Sequence, residues 1–294
     1  MSSTEKELVT IGVPTYNRAG TYLKAALDSI LAQTYKNFEL IISDNASTDD
    51  TEQVCREYME KDSRIKYIRQ KKNTGSILNR NFVRQQGSGK YFVETCDDDL
   101  LAPTFLEKCM VRIEANPEAV FAGGNFVEFD DLGRKVERYF RLFYPLGKDV
   151  YSRLKKYILL YESDGKDMLT YCGVWLRSIV AGNPFFNLPY FGWDFQDMGF
   201  IFQGLAKGPC ECVDEVLFYK RAAMSALNPP KKKTFIKRIF DSLFKSRVSR
   251  LCSPFFYKRI GDILRIKELS YTEKTKLIFW NLFVMSRLFW ERKI

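Results

Sequence analysis

Histidine is absent from the chain. That absence excludes a histidine-based dyad or triad and any histidine metal ligand, and leaves proton transfer to aspartate and glutamate. Cysteine occurs seven times, at Cys55, Cys96, Cys109, Cys172, Cys210, Cys212 and Cys252, with no Cys-x-x-Cys pair. The odd number, the scatter and the mostly apolar neighbours predict reduced core thiols in a cytosolic protein, not a disulfide framework. No uninterrupted apolar run reaches the ~20 residues that a bilayer span needs. The nearest approach, around residues 277–290, is broken by Asn281, Ser286 and Arg287. Residues 1–7 are polar, which argues against a signal peptide. Internal repeats and low-complexity tracts are also lacking.

What is present suits one large domain, or one domain with an appendage: 294 residues, 46% of them hydrophobic. Charge is unevenly placed. Residues 231–294 carry 17 Lys and Arg against 5 Asp and Glu, a net of +12, so residues 1–230 stand near −2 within a chain total of +10. The basic character belongs to the tail.

The stretch Tyr91-Phe92-Val93-Glu94-Thr95-Cys96-Asp97-Asp98-Asp99 reads as a buried strand that ends in three acids. Adjacent carboxylates repel, and more strongly where water is partly excluded. A divalent cation would offset that repulsion, since hard cations take carboxylate oxygens; a solvated acidic turn ahead of the helix after Pro103 is the plainer alternative. Upstream, strands at 8–13, 38–42 and 64–68 alternate with helices at 22–31, at 51–61 and after Gly75. Four strand–helix units predict a parallel, doubly wound sheet. Polar loops at 15–18, 43–48 and 97–99 then fall along one edge, where open α/β sheets bind ligands.

Beyond a helix at 104–115 the pattern changes. Short strands are expected at 119–122 and 125–129, a turn at 130–133, an extended segment at 135–140, a helix at 153–161, a polar mobile loop at 162–167 and a strand or bend at 173–177. A helix opening at Gly192-Trp193-Asp194 precedes a last strand at 213–219. Pro229-Pro230 followed by three lysines marks a boundary. In the tail, Phe235, Ile236, Ile239, Phe240, Leu243 and Phe244 recur at helical spacing opposite Lys237, Arg238, Lys245 and Arg247. Pro254 suits the first position of a second helix, and Ser270 with Glu273 forms a capping box for a third.

On Val13-Pro14-Thr15-Tyr16-Asn17-Arg18, the run 43–51, Asn73-Thr74-Gly75 with Asn79-Arg80-Asn81, and Asp97-Asp98-Asp99, the chain resembles the family 2 glycosyltransferases of the GT-A fold over residues 8–225. The resemblance implies a Rossmann-like, mostly parallel sheet flanked by helices, with a donor half at about 1–115 and an acceptor half at about 116–229; the C-terminal amphipathic helical extension at 230–294, read from its own periodicity, lies outside it. It implies a nucleotide-sugar donor and Mn2+ or Mg2+ as cofactor. Carried over residue by residue, it places Pro14, Thr15, Asn17 and Arg18 in the nucleotide pocket. Asp44 is then the acid that bonds the base, Arg80 a donor contact, Asp97, Asp98 and Asp99 the Asp-x-Asp motif with Asp97 and Asp99 on the metal, and Asp194 the general base of an inverting enzyme. Asp197 is the fallback base. An N-cap uses the same residue type as Asp194. Two departures stand out: Trp193 occupies the place of the usual acid before the base, and Arg221-Ala222-Ala223 lacks the histidine that many members carry.

A lipid-linked glycan or polysaccharide precursor is the expected acceptor. The tail suits an anionic membrane surface at the inner face of the plasma membrane, a homodimer interface, or packing on the body. Nucleic acid is not expected, because the bulky apolar faces fit lipid or protein better. A sugar nucleotidyltransferase would want a Gly-rich loop at 13–20, which is absent. A membrane-surface scaffold with a catalytically impaired GT-A domain is the non-enzymatic alternative.

Overall fold

The computed structural model describes residues 6–130, 135–140, 147–159, 171–181, 193–222 and 254–290, with the side chains of 135–140, 193–196, 198, 254–259 and 283–290 left aside. The first half is the expected alternation: β1 (Val9–Thr15), α1 (Leu23–Leu31), β2 (Phe38–Asp44), α2 (Thr51–Lys61), β3 (Ile65–Arg69), α3 (Ser76–Gln85) and β4 (Tyr91–Glu94). β1 pairs in parallel with β2 and β4, and β2 with β3. Aliphatic runs such as Leu40-Ile41-Ile42 are buried on both faces, as a helix-covered parallel sheet requires.

The second half is mixed. It comprises β5 (Leu100–Leu101), α4 (Phe105–Ala115), β6 (Phe121–Phe129), β7 (Lys135–Phe140), α5 (Val150–Leu159), β8 (Gly173–Leu176), α6 (Arg177–Ala181), α7 (Trp193–Lys207) and β9 (Cys210–Arg221). Among the described residues the sheet has nine strands in the order β3-β2-β1-β4-β8-β6-β9-β5, with β7 beside β6. β8, β7 and β5 run against their neighbours. Two short strands are expected at 119–129; instead β6 is one strand whose register against β9 shifts between Gly124 and Phe126. The irregularity absorbs the break that the Gly123-Gly124 pair suggests.

Two tail helices, α8 (Pro254–Arg265) and α9 (Tyr271–Trp290), follow. The predicted capping box is formed: Ser270 N–H and Oγ donate to Glu273, at 2.8 and 2.6 Å. α9 packs on α5, Lys155 Nζ lies 4.6 Å from the Trp280 ring centroid, and Ile263, Leu269 and Leu277 join the body's core. The expected turn at 130–133, save Asp130, the loop at 162–167, the helix spanning 235–244 and the 229/230 boundary lie outside the described residues. No described helix is long and apolar enough to cross a membrane. Leu277 is fully buried, so Leu277→Ala is expected to cost ~2–5 kcal/mol of unfolding free energy, read from urea melts. A loss below ~1 kcal/mol would mean that α9 does not share the body's core.

Candidate active site

Parallel strands bring the carboxyl ends of β1, β2 and β4 to one edge, and their loops are sewn together there. The Asn17 amide N–H donates to Ser47 Oγ (2.9 Å), and Asn17 Oδ1 accepts from the Thr48 N–H (2.8 Å). The Arg18 N–H donates to Thr51 Oγ1 (2.8 Å). Thr15 C=O accepts from the Asn45 N–H at 3.0 Å. Asn17 and Ala46 adopt positive φ, 53° and 61°. For alanine that is a strained geometry, held here by the interlocked loops. Pro14 and Thr15 end β1 beside Ser43 and Asp44.

Asp44 is fully buried. Its Oδ1 accepts from Ser47 N–H and Oγ, at 2.9 and 2.5 Å; its Oδ2 accepts from Tyr67 OH (2.7 Å) and Arg69 Nη1 (2.9 Å). A carboxylate offers about four lone-pair sites, and these four donors occupy them. Asp44 therefore organises the turn after β2, and a bond to a base would have to displace one of its protein partners.

The acidic triplet occupies the crossing from β4 to β5, which pairs with β9 at the far edge. Arg18 Nε stands 3.3 Å from Asp97, and Arg18 Nη2 stands 3.5 Å from Asp98. Asp99 accepts the Arg221 N–H at 2.8 Å, while Arg221 Nε donates to the Asp98 carbonyl at 3.1 Å. The Arg221 guanidinium is held between the rings of Tyr22 and Phe129, 3.8 and 4.5 Å from their centroids. Burial raises the Asp97 carboxyl to about 6 against the pull of Arg18. Burial, with the Asp98 charge beside it, raises Asp99 to about 7. Both acids are thus held at an electrostatic cost.

That cost sets a pH dependence. A folded carboxyl raised to about 7 binds its proton more tightly than in the unfolded chain. Its contribution to stability is complete below ~4 and is lost as pH rises through 7. In the metal-free protein, stability between pH 5 and pH 8 is expected to fall by ~2–3 kcal/mol more in wild type than in Asp99→Asn. Parallel denaturation curves for the two proteins would show that Asp99 is not held neutral.

A divalent ion fits this chemistry: hard carboxylate oxygens, partly shielded from water, with repulsion to relieve. Among the described residues, the potential ligand atoms that lie within 4.8 Å of one another belong to Cys96, Asp98 and Asp99. Asp97 is turned to Arg18 instead.

Arg80 departs from the expected donor contact. It is 6% exposed; its Nε bonds Glu94 at 2.5 Å and its Nη2 lies 3.4 Å from Asp197. Asp197, the fallback base, also accepts from Tyr171 OH at 2.9 Å. A carboxylate so engaged is a poor proton acceptor. Asp194 lies in the first turn of α7, as expected, and its side chain is outside the described ones. Sequence reasoning missed Glu94, Arg84 and Tyr171 as partners here. An acid inside an apolar strand, opposite two arginines at helical i, i+4 spacing, was the available signal.

Solved structures of the same fold class share this architecture. Staphylococcus aureus TarS 1–349 in complex with UDP-GlcNAc superposes with a TM-score of 0.64 at 17% identity, covering 93% of this chain and 71% of that one. The Pyrobaculum calidifontis mannosyltransferase PcManGT in complex with GDP-Man and Mn2+ gives 0.54 at 17% identity, covering 96% and 70%. The fold is therefore of the GT-A type. Residues 10–175 match the model of glycosyl transferase family 2, and the chain belongs to that family. It is 34% identical over 155 residues to glycosyltransferase GlyA of Streptococcus pneumoniae; the match takes in 53% of this chain but only 21% of that protein.

Proposed function

We propose that the chain is an inverting glycosyltransferase that moves a sugar from a nucleotide-diphosphate-sugar to a hydroxyl of a lipid-linked glycan or polysaccharide precursor. The observation that carries this reading is the acidic triplet at the carboxyl end of β4, with Asp97 and Asp99 buried, facing Arg18 and the interlocked loops after β1 and β2. In this reading Pro14, Thr15, Asn17 and Arg18 line the nucleotide pocket, and Asp44 supports it through the turn it organises. Asp97 and Asp98 meet the donor, Asp99 and Asp97, the latter turning from Arg18, would hold Mn2+ or Mg2+ with Asp98 and Cys96 adjacent, and Arg80 acts from behind the site. A bound divalent ion would neutralise charge on the leaving diphosphate.

Asp194 takes the proton from the acceptor hydroxyl as its oxygen bonds the anomeric carbon. The bond from that carbon to the diphosphate oxygen breaks with its electron pair on the diphosphate. Attack opposite the leaving group inverts the anomeric centre. Calorimetric titration of UDP and of GDP, each with and without Mn2+, tests the donor reading: one is expected to bind with metal-dependent affinity. Binding of neither would favour the impaired-scaffold alternative.

Residues 1–229 form the catalytic domain in this account, and 230–294 a basic extension that holds the enzyme, from the cytoplasm, on an anionic membrane surface. One side of α9 packs on the body, while Tyr271, Phe279 and Leu282 are exposed near Lys276. Such a division suits an interfacial helix; it also suits a homodimer. Co-sedimentation with anionic vesicles is expected at low salt and should weaken as salt screens the charges. A protein that stays in the supernatant at low salt would leave these helices to intraprotein or dimer packing.

A further inference from the structure

Four charged side chains are packed together beneath the site. Glu94, at the end of β4, accepts from Arg80 Nε on one carboxylate oxygen and from Arg84 Nε on the other. The two guanidiniums also face Asp197 of α7, with Nη2 atoms 3.4 and 3.6 Å from its Oδ1. Tyr171 OH donates to Asp197 Oδ2 at 2.9 Å, and its ring lies 4.8 Å from the Arg80 guanidinium carbon. All four charged residues are at least nine-tenths buried. Two positive and two negative charges balance, and each geometry is fixed by a planar donor fork. The strand leading into the acidic triplet is thereby bolted, through α3, to the helix that carries Asp194 one turn before Asp197.

We propose that Asp197 is a positioning residue: with Arg80, Arg84, Glu94 and Tyr171 it sets where the first turns of α7 stand relative to the donor-binding strand end. This rests on the reading of Asp194 as the base. Its cause is geometric. Proton transfer and attack need the acceptor oxygen placed to within a fraction of an ångström, and a misplacement of about 1 Å can cost ~10²-fold in rate. A charge cluster with matched partners holds such a placement more rigidly than apolar packing, because an ion pair separated inside the protein is not rehydrated.

The test uses full-length Tyr171→Phe, which removes one hydrogen bond and keeps the ring, with Asp197→Asn, Asp197→Glu and Asp194→Asn. Hydrogen exchange comes first. The second and third turns of α7, whose amides are bonded within the helix, are expected to exchange about tenfold faster in Tyr171→Phe and Asp197→Asn, while α1 and α2 stay as in wild type. Unchanged exchange in α7 overturns the proposal. Metal-supplemented hydrolysis is then followed with whichever of UDP-N-acetylglucosamine, UDP-glucose and GDP-mannose is cleaved fastest. The expected result is a kcat loss of ~10-fold for Tyr171→Phe and ~10²-fold for Asp197→Asn. Donor KM is expected to stay nearly constant, the acidic limb of the kcat profile to stay in place, and Asp197→Glu to recover most of the rate. Faster exchange with unchanged kcat would make the cluster merely structural and overturn the proposal. Loss of the acidic limb in Asp197→Asn, with Asp194→Asn still active, would make Asp197 the base and overturn both readings. Normal kcat in Asp194→Asn with slow Asp197→Asn and its limb intact would remove the base assignment alone.

Discussion

Asp99→Ala is expected to abolish metal-dependent nucleotide binding and to lower transfer by on the order of 10²–10³-fold or more, the scale lost when a group that stabilises transition-state charge is removed. Asp99 is 4% exposed, and burial raises its carboxyl to about 7. A protein retains such a costly acid where a ligand uses it. The fold itself should survive. The Arg221 N–H that bonds Asp99 belongs to the terminal residue of a strand paired along its length, and removing a strained buried charge relieves repulsion with Asp98. Circular dichroism should therefore be unchanged while the manganese-dependent part of nucleotide affinity, read by calorimetry, disappears. Equal affinity in variant and wild type would place the metal elsewhere.

The second large effect is expected at Asp194. Asp194→Asn should bind nucleotide and nucleotide sugar as wild type does, because the pocket proposed for them lies on the β1, β2 and β4 loops. It should lose ~10²–10⁴-fold in kcat, the range for loss of a general base. Burial of Asp197 among Arg80, Arg84 and Tyr171 strengthens the case, since it occupies the other acid in this part of α7. Donor affinity from calorimetry and turnover from nucleotide release separate the two effects. Persistence of near wild-type turnover would reduce Asp194 to an N-cap.

The parallel half was legible because each strand is a short apolar run punctuated by polar turns, and β-strand and helix periods alternate cleanly. The ligand edge followed from topology alone. Residues whose partners are distant in sequence were harder to read. On α3, the apolar residues Ile77, Leu78, Phe82 and Val83 draw attention; Val83 is buried, yet Leu78 is 46% exposed while Asn79, Arg80 and Arg84 are buried. That face is polar because its partners are polar. Asn79 Nδ2 bonds the Ser43 carbonyl at 2.8 Å, and Ser43 Oγ bonds Asn79 Oδ1 at 2.6 Å. Likewise Asp44 carries the family's motif, but its four protein donors come from the turn after β2 and from β3, more than twenty residues on. The strand order of the second half was not readable, since β8 and β9 enter the sheet out of sequence order.

In the proposed function this edge of the sheet activates a nucleotide sugar with the help of the acidic triplet. Incubating the full-length protein with UDP-, GDP- and dTDP-sugars, with Mn2+ or with chelator, and measuring released nucleotide diphosphate tests it most directly. Release is expected from at least one donor, dependent on the divalent ion and lost in Asp99→Ala. Release that is the same with chelator and in Asp99→Ala, or no release from any donor, would contradict it.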